Sequence, residues 1–283
     1  MFPEQVGQHL EPTAVLYRNE PVFRQHLDNC AQILRPALGL DIRELLLDIA
    51  GDEHTVSHRL SEAWLNQPVL FAIEYALAQQ WIASGVLPNA MLGAGPGEYV
   101  AACLAGVFEL SDALRLVVAR GRLGSDVTDK DLVAFASQVK TCQPQAPTID
   151  CWSNPMGTLL TSEQAVDPTY WVRQTQEPVL RAAGLESLLE RQDTLFIEVG
   201  PGDIFTTSAI NHRLAKQSRL ILPTLTHEGR ATGDSSRQWL DCLGKIWCAG
   251  FDLDWRLSWS SARRARVALP VYPFEKVRHW IDL

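Results

Sequence analysis

From Pro21 to Ile49 apolar residues recur at mixed spacings of three and four (Phe23, Leu27, Ala31, Leu34, Leu38), the stripe of a helix with one face on a core. The stretch from Pro68 to Val86, PVLFAIEYALAQQWIASGV, is apolar on most faces and runs into Gly85, which predicts a buried helix followed by a stop. A short apolar step comes next, Ala90-Met91-Leu92, and then the turn Gly93-Ala94-Gly95-Pro96-Gly97. The helix expected after it carries Val100, Cys103, Leu104 and Val107 at i, i+3, i+4 and i+7. A second glycine turn, Gly200-Pro201-Gly202, follows the apolar run Leu195–Val199. Residues 124–147 are polar and proline-punctuated, with one short helix expected over Asp131–Val139. The segment QWLDCLGKIWCAG from Gln238 reads as helical, whereas the prolines of Leu269-Pro270-Val271-Tyr272-Pro273-Phe274 forbid a continuing helix. Strand, glycine-rich turn and helix, in that order, belong to α/β folds.

Three chemistries compete for Gly93–Gly97. A dinucleotide fingerprint needs a third glycine where Glu98 stands, and a phosphate-binding P-loop needs a Gly-Lys-Ser/Thr ending that is missing. The spacing of Gly93, Gly95 and Gly97 fits a nucleophile elbow, G-x-S-x-G, whose centre sits at a helix N-terminus where backbone N–H groups stabilise an oxyanion. Here that centre is Gly95, which has no side chain.

Bulk properties narrow the setting. The 283 residues, 46% hydrophobic, suffice for one large domain, with or without an appendage. A net charge of −8 argues against nucleic acid as a partner. With no apolar run near the roughly 18–20 residues of a membrane span and no signal-like segment at the N-terminus, no membrane partner is expected and the chain reads as a soluble, cytoplasmic protein. The six cysteines lie singly and read as reduced and structural. His54 and His58 have the i, i+4 spacing of metal ligands but no third ligand, so they read as surface histidines; neither metal nor cofactor is expected. The basic cluster Arg263-Arg264-Ala265-Arg266 is either a solvated turn or a docking patch for an acidic protein.

Seven separated motifs, in the family's order along the chain, resemble one family. Gly93-Ala94-Gly95-Pro96-Gly97-Glu98-Tyr99-Val100-Ala101-Ala102 resembles the G-H-S-x-G-E-Y-x-A-A motif of malonyl-type acyltransferase domains of modular polyketide synthases. Phe2-Pro3-Glu4-Gln5-Val6-Gly7-Gln8 is similar to the family's opening F-P-G-Q-G-x-Q, and Gln67–Ala72 to its T-Q-P-A-L-F-A stretch. Ala119–Leu123 resembles the segment whose arginine, here Arg120, holds the substrate carboxylate. Asp167–Arg173 and Glu198–Gly202 match two further stretches, and Leu269–Phe274 with Trp280 resembles the post-acyltransferase linker, which in synthase modules wraps back onto the ketosynthase. The resemblance implies an α/β-hydrolase-like core with a largely parallel sheet over residues 1–235 and the linker over 236–283. It implies a ketosynthase domain and an acyl carrier protein as partners. The family's first strand precedes the F-P motif, which leaves Met1 as either a native start or a trimmed boundary.

The departures bear on chemistry. By the resemblance Gly95 stands at the serine nucleophile and Ala94 at the adjoining histidine. The ferredoxin-like small subdomain and the catalytic histidine are expected to be deleted near residues 124–147, where Ser125 and Asp126 read as turn residues. Loss of a serine or histidine alone costs about 10⁶-fold in a comparable hydrolase. Glu4, at the family's glycine, places a carboxylate beside Gln5, whose backbone is expected at the oxyanion hole. The vestigial cleft therefore comprises Gln5, Gly95, Pro96, Glu98 and Arg120, with Arg120 expected in a structural ion pair rather than on a substrate. A catalytically inactive structural or docking domain is the leading expectation. The alternatives are a repurposed enzyme acting on a carrier-bound intermediate by acid–base chemistry through Glu98, Asp126 or Arg120, and residual acyl transfer from an unrecognised nucleophile. An emptied cleft and an uncovered core surface would both follow from the deletion, with either the stub or a partner expected to cover that surface.

Overall fold

The structure, a computed structural model, describes residues 1–4, 11–47, 59–124, 127–191, 195–216, 220–225, 235–256 and 267–275. Helices Glu11–Asn19 (α1), Pro21–Leu38 (α2), Ile42–Leu47 (α3) and Ala63–Ala83 (α4) lead to strand Ala90–Leu92 (β1). After β1 come helices Gly97–Leu104 (α5), Leu110–Gly121 (α6) and Asp129–Thr141 (α7), then strand Asp150–Trp152 (β2). Ser162–Val166 (α8), Pro168–Gln176 (α9) and Arg181–Leu189 (α10) precede strand Phe196–Pro201 (β3). The described chain continues through Ile204–Ile210 (α11), strand Ile221–Leu225 (β4) and Ser235–Cys248 (α12).

Two of the expected helices are revised. The stripe from Pro21 is split: Gly39 takes a left-handed φ of 70° and donates its N–H to the Arg35 carbonyl, and Asp41 then accepts from the Arg43 N–H as the chain re-enters a helix. Val107 lies past the end of α5, because Gly106 at φ 78° has already turned the chain, although Val107 is still buried. The all-round apolar α4 is the central helix, burying residues on every side from Leu65 to Trp81 and stopping before Gly85 at φ 92°.

β1 pairs parallel with β2, and β3 parallel with β4. The two pairs are joined by the first three residues. Phe2 donates to the Leu92 carbonyl at 2.8 Å and accepts from the Ala94 N–H at 2.8 Å. On the other side Met1 donates to the Ile197 carbonyl at 2.8 Å and accepts from the Val199 N–H at 2.7 Å. The layer therefore reads β2, β1, Met1–Pro3, β3, β4, all parallel, with helices on both faces as parallel sheets require.

Among the described residues between Leu123 and Asp150 there is one helix, α7, and no second sheet. Thr128 and Asp131 close a reciprocal capping box at its start. Its apolar face carries Phe135 and Val139 into the main core, against α6 and α9. At the other end of the chain, Trp239 of α12 packs on Trp81 with ring centroids 4.4 Å apart, and Cys242, Leu243 and Ile246 join the same core.

If α7 seals the core, Phe135→Ala lowers stability by about 3 kcal/mol in urea titration. Val133→Ala, on the exposed face of the same helix, stays within about 0.5 kcal/mol of the parent.

Candidate functional site

The glycine turn has the shape the spacing predicts. β1 ends, the chain reverses at Gly95 with φ 54°, and Pro96 at φ −65° opens α5. Gly97 donates to the Ala94 carbonyl at 2.9 Å and Glu98 to the Gly95 carbonyl at 3.3 Å. The outer glycines are steric necessities: a Cβ on Gly93 would lie 2.2 Å from the Gly97 carbonyl carbon, and one on Gly97 would lie 2.6 Å from the Phe2 carbonyl oxygen. Gly95 is different. The nearest atom to a Cβ there is the Glu4 Cβ at 3.3 Å, with a Glu4 carboxylate oxygen at 3.8 Å and Arg120 Nη2 at 3.9 Å. A side chain at the apex would face a lined space, not backbone.

That space is organised by glutamines. Arg120, near the end of α6, donates from Nη1 to Gln67 Oε1 at 2.7 Å and from Nε to Gln174 Oε1 at 3.2 Å. Gln174, buried on α9, donates in turn to the Gly95 carbonyl at 2.7 Å. The expected structural ion pair for Arg120 is thus corrected: among the described residues its partners are neutral amide oxygens, and it makes no salt bridge. The carboxylate near the apex, Glu4, is held instead by Arg181 of α10. The sequence reading missed Gln67, Gln174 and Arg181. The two glutamines lie within or beside matched stretches, but Glu4 and Arg181 are 177 residues apart and share no local signal.

Glu98 and Ala94 point away from solvent. Glu98 is 1% exposed; its Oε1 accepts from the Tyr170 hydroxyl and its Oε2 from the Asn154 N–H at 3.4 Å. Burial pushes its carboxyl up to about 7, with the Tyr170 hydrogen bond opposing that rise, and Tyr170 itself is raised by burial and the facing Glu98. Glu198 of the second motif accepts the N–H groups of Phe205 at 3.0 Å and Thr206 at 2.8 Å, capping the start of α11. Burial also pushes the thiols of Cys103 and Cys151 up to about 12, as structural cysteines. Gln5, His54, His58, Ser125, Asp126, Arg263, Arg264, Arg266 and Trp280 lie outside the described residues. No described helix is long and apolar enough to cross a membrane.

Comparison with known proteins supports one assignment. The family model "Acyl transferase domain" matches residues 13–134. A subunit of the phenolphthiocerol/phthiocerol polyketide synthase of Mycobacterium tuberculosis is 29% identical over all of this chain, which spans 23% of that protein's length. The alignment runs over 356 positions against 283 residues, so the surplus lies in segments that the relative has and this chain lacks. The spectinabilin polyketide synthase system protein NorA' of Streptomyces orinoci is 25% identical, again over the whole chain and 10% of its own length. Among solved structures, the acyl transferase domain of ZmaA superposes with a TM-score of 0.84 at 26% identity, covering 95% of this chain and 78% of that one. The acyltransferase domain of the second salinomycin synthase module gives 0.77 at 26% identity, covering 96% and 78%. In sequence and in fold the chain is similar to the acyl transferase domains of modular polyketide synthases.

Two measurements test the site's geometry. Gly95→Ala, whose Cβ has room but a left-handed φ, costs about 1 kcal/mol, while Gly97→Ala, driven into the Phe2 backbone, costs about 3 kcal/mol or more. Glu98 carries a pH signature. Its folded value of about 7 exceeds the ordinary 4.5, so the folded state keeps a proton that the unfolded chain releases. Stability therefore falls as pH rises through that window, by up to about 3 kcal/mol, and is flat above it. Relative to Glu98→Gln, the parent loses that stability between pH 5 and 7.5 in urea titrations.

Proposed function

We propose that this chain serves a polyketide assembly line as an acyltransferase-like domain that carries no acyl group itself, a structural and docking element beside a ketosynthase domain and an acyl carrier protein. The observation that carries this reading is the apex of the turn. Gly95 supplies no hydroxyl or thiol, and the groups that reach the position are the Glu4 carboxylate and the Arg120 guanidinium. Covalent acyl transfer needs a nucleophile within reach of a base. The described histidines stand elsewhere: His26 packs edge-on to Tyr75, and His212 accepts from the Leu214 N–H beyond α11. Glu4 adds a negative charge beside the position where an oxyanion would form, which disfavours that intermediate.

The docking half of the reading rests on the tail. Leu269, Val271 and Phe274 are 82, 86 and 77% exposed in an extended segment. Contiguous exposed apolar residues of this kind mark interaction surfaces. The matching linker in synthase modules lies on the ketosynthase, and that domain is the partner assigned here.

Intact-mass analysis after mixing the chain with malonyl-coenzyme A and its cognate carrier protein is expected to show no adduct on the chain. It should also show no carrier acylation above a control lacking the chain. A malonyl adduct, or carrier acylation that depends on this protein, overturns the reading, and the modified residue names the nucleophile. In parallel, Leu269→Asp combined with Val271→Asp weakens binding to the cognate ketosynthase by about tenfold or more.

A further inference from the structure

The apex of the glycine turn has no side chain of its own, and a side chain from another part of the chain lies over it. A Cβ on Gly95 would sit 3.3 Å from the Glu4 Cβ and 3.8 Å from a Glu4 carboxylate oxygen. The first distance is just inside the roughly 3.5–4.0 Å at which two carbons pack best. Glu4 therefore takes up the volume that a larger residue at position 95 would claim. Its carboxylate is anchored there, because Oε1 accepts from Nη2 of Arg181, the first residue of α10. Both side chains are half-buried.

The guanidinium donors around the apex are only partly used. Arg181 Nε is buried and has no hydrogen-bond partner among the described residues. A carboxylate or phosphate laid side-on against a guanidinium takes two donors with two oxygens, whereas Glu4 meets Arg181 through Oε1 alone. On the other side of the apex, Arg120 gives Nη1 to Gln67 and Nε to Gln174, and its Nη2 lies 3.9 Å from the Cβ position of residue 95. Two guanidiniums thus face this point, and the one carboxylate between them belongs to the chain itself.

We infer that Glu4 is an internal ligand of the cleft: its carboxylate holds, against Arg181, the place that an incoming carboxylate or phosphate would take, so the chain excludes small oxyanions from its own apex. The contact is intramolecular and acts at an effective concentration on the order of millimolar or above, which a free anion has to exceed to displace it. Glutamine at position 4 keeps the length of the side chain but loses the charge, and a charge-assisted hydrogen bond is about twice as strong as a neutral one. Glycine there removes the occupant altogether. Opening the apex supplies no nucleophile at Gly95, so a variant that gains anion binding is still expected to form no acyl adduct. The internal ligand and the proposed absence of acyl transfer therefore stand or fall separately.

Inorganic phosphate is the probe, titrated into the full chain at low ionic strength by isothermal titration calorimetry. The parent is expected to give no saturable heat. Glu4→Gly and Glu4→Gln are expected to bind phosphate at one site, about tenfold or more tightly than any binding by the parent. Adding Arg181→Gln to either variant removes the gain. A parent that binds phosphate as tightly as Glu4→Gly overturns the inference, and so does the absence of binding in all variants. A gain that survives Arg181→Gln overturns it too, since it marks a general loss of negative charge and not the release of a held place. Should Glu4→Gly lose the parent's circular dichroism spectrum, Glu4→Gln decides. A second measurement needs no ligand: under phenylglyoxal, followed by peptide mass spectrometry, Arg181 is expected to react about tenfold faster in Glu4→Gln than in the parent, where the carboxylate covers it. Equal rates overturn the inference.

Discussion

Everything that positions the cleft hangs on four main-chain hydrogen bonds made by Met1 and Phe2. They join two two-stranded parallel pairs into one layer, and each is worth only about 1 kcal/mol net. Their consequence is geometric. Because Phe2 runs alongside Gly93, its carbonyl passes where a Cβ on Gly97 would be, so the helix after the turn can begin only with glycine. Because Pro3 continues that line, Glu4 is delivered over Gly95, within reach of Arg181. The seam thus fixes the turn, and the turn fixes what faces the apex.

Around this seam lies a set of buried carboxyls whose work is structural. Glu198 spends both oxygens capping α11. Glu74, fully buried on α4 and facing Met1 and Glu198, is driven well above the ordinary carboxylate range by burial. The aromatic block of Tyr99, Phe108 and Trp171, with ring centroids 4.8–4.9 Å apart around Trp171, ties α5 to α9. Through α9 it positions Gln174, the residue that couples Arg120 to the Gly95 carbonyl. Packing and hydrogen bonding therefore converge on the apex without placing a reactive group there.

Local signals carried much of this. The glycine triplet announced its turn because two of its glycines are demanded by backbone approach, and α4 announced its burial by being apolar on every face. The capped α7 was legible from Phe135 and Val139 at helical spacing in an otherwise polar stretch. What escaped were features decided by partners distant in sequence or by a single backbone angle. Gly39 breaks a stripe whose hydrophobic spacing continues unbroken, since periodicity reports burial and not φ. The Glu4–Arg181 pair and the two glutamines on Arg120 join residues 53 to 177 positions apart. No pattern in one sequence ties such residues together.

The same geometry weighs on the idea of a repurposed acid–base enzyme. Such an enzyme needs a group that titrates near neutrality and touches substrate. Glu98 meets the first condition, with a carboxyl pushed up to about 7, and fails the second: it is sealed behind the turn, with Tyr170 and Asn154 as its partners. Arg120 turns Nη2 toward the apex, while its Nη1 and Nε are held by Gln67 and Gln174. Glu4 reaches the apex but is committed to Arg181. Titration and access are thus divided among different residues. That division between Glu98 on one side and Arg120 and Glu4 on the other is what the proposed non-catalytic reading rests on.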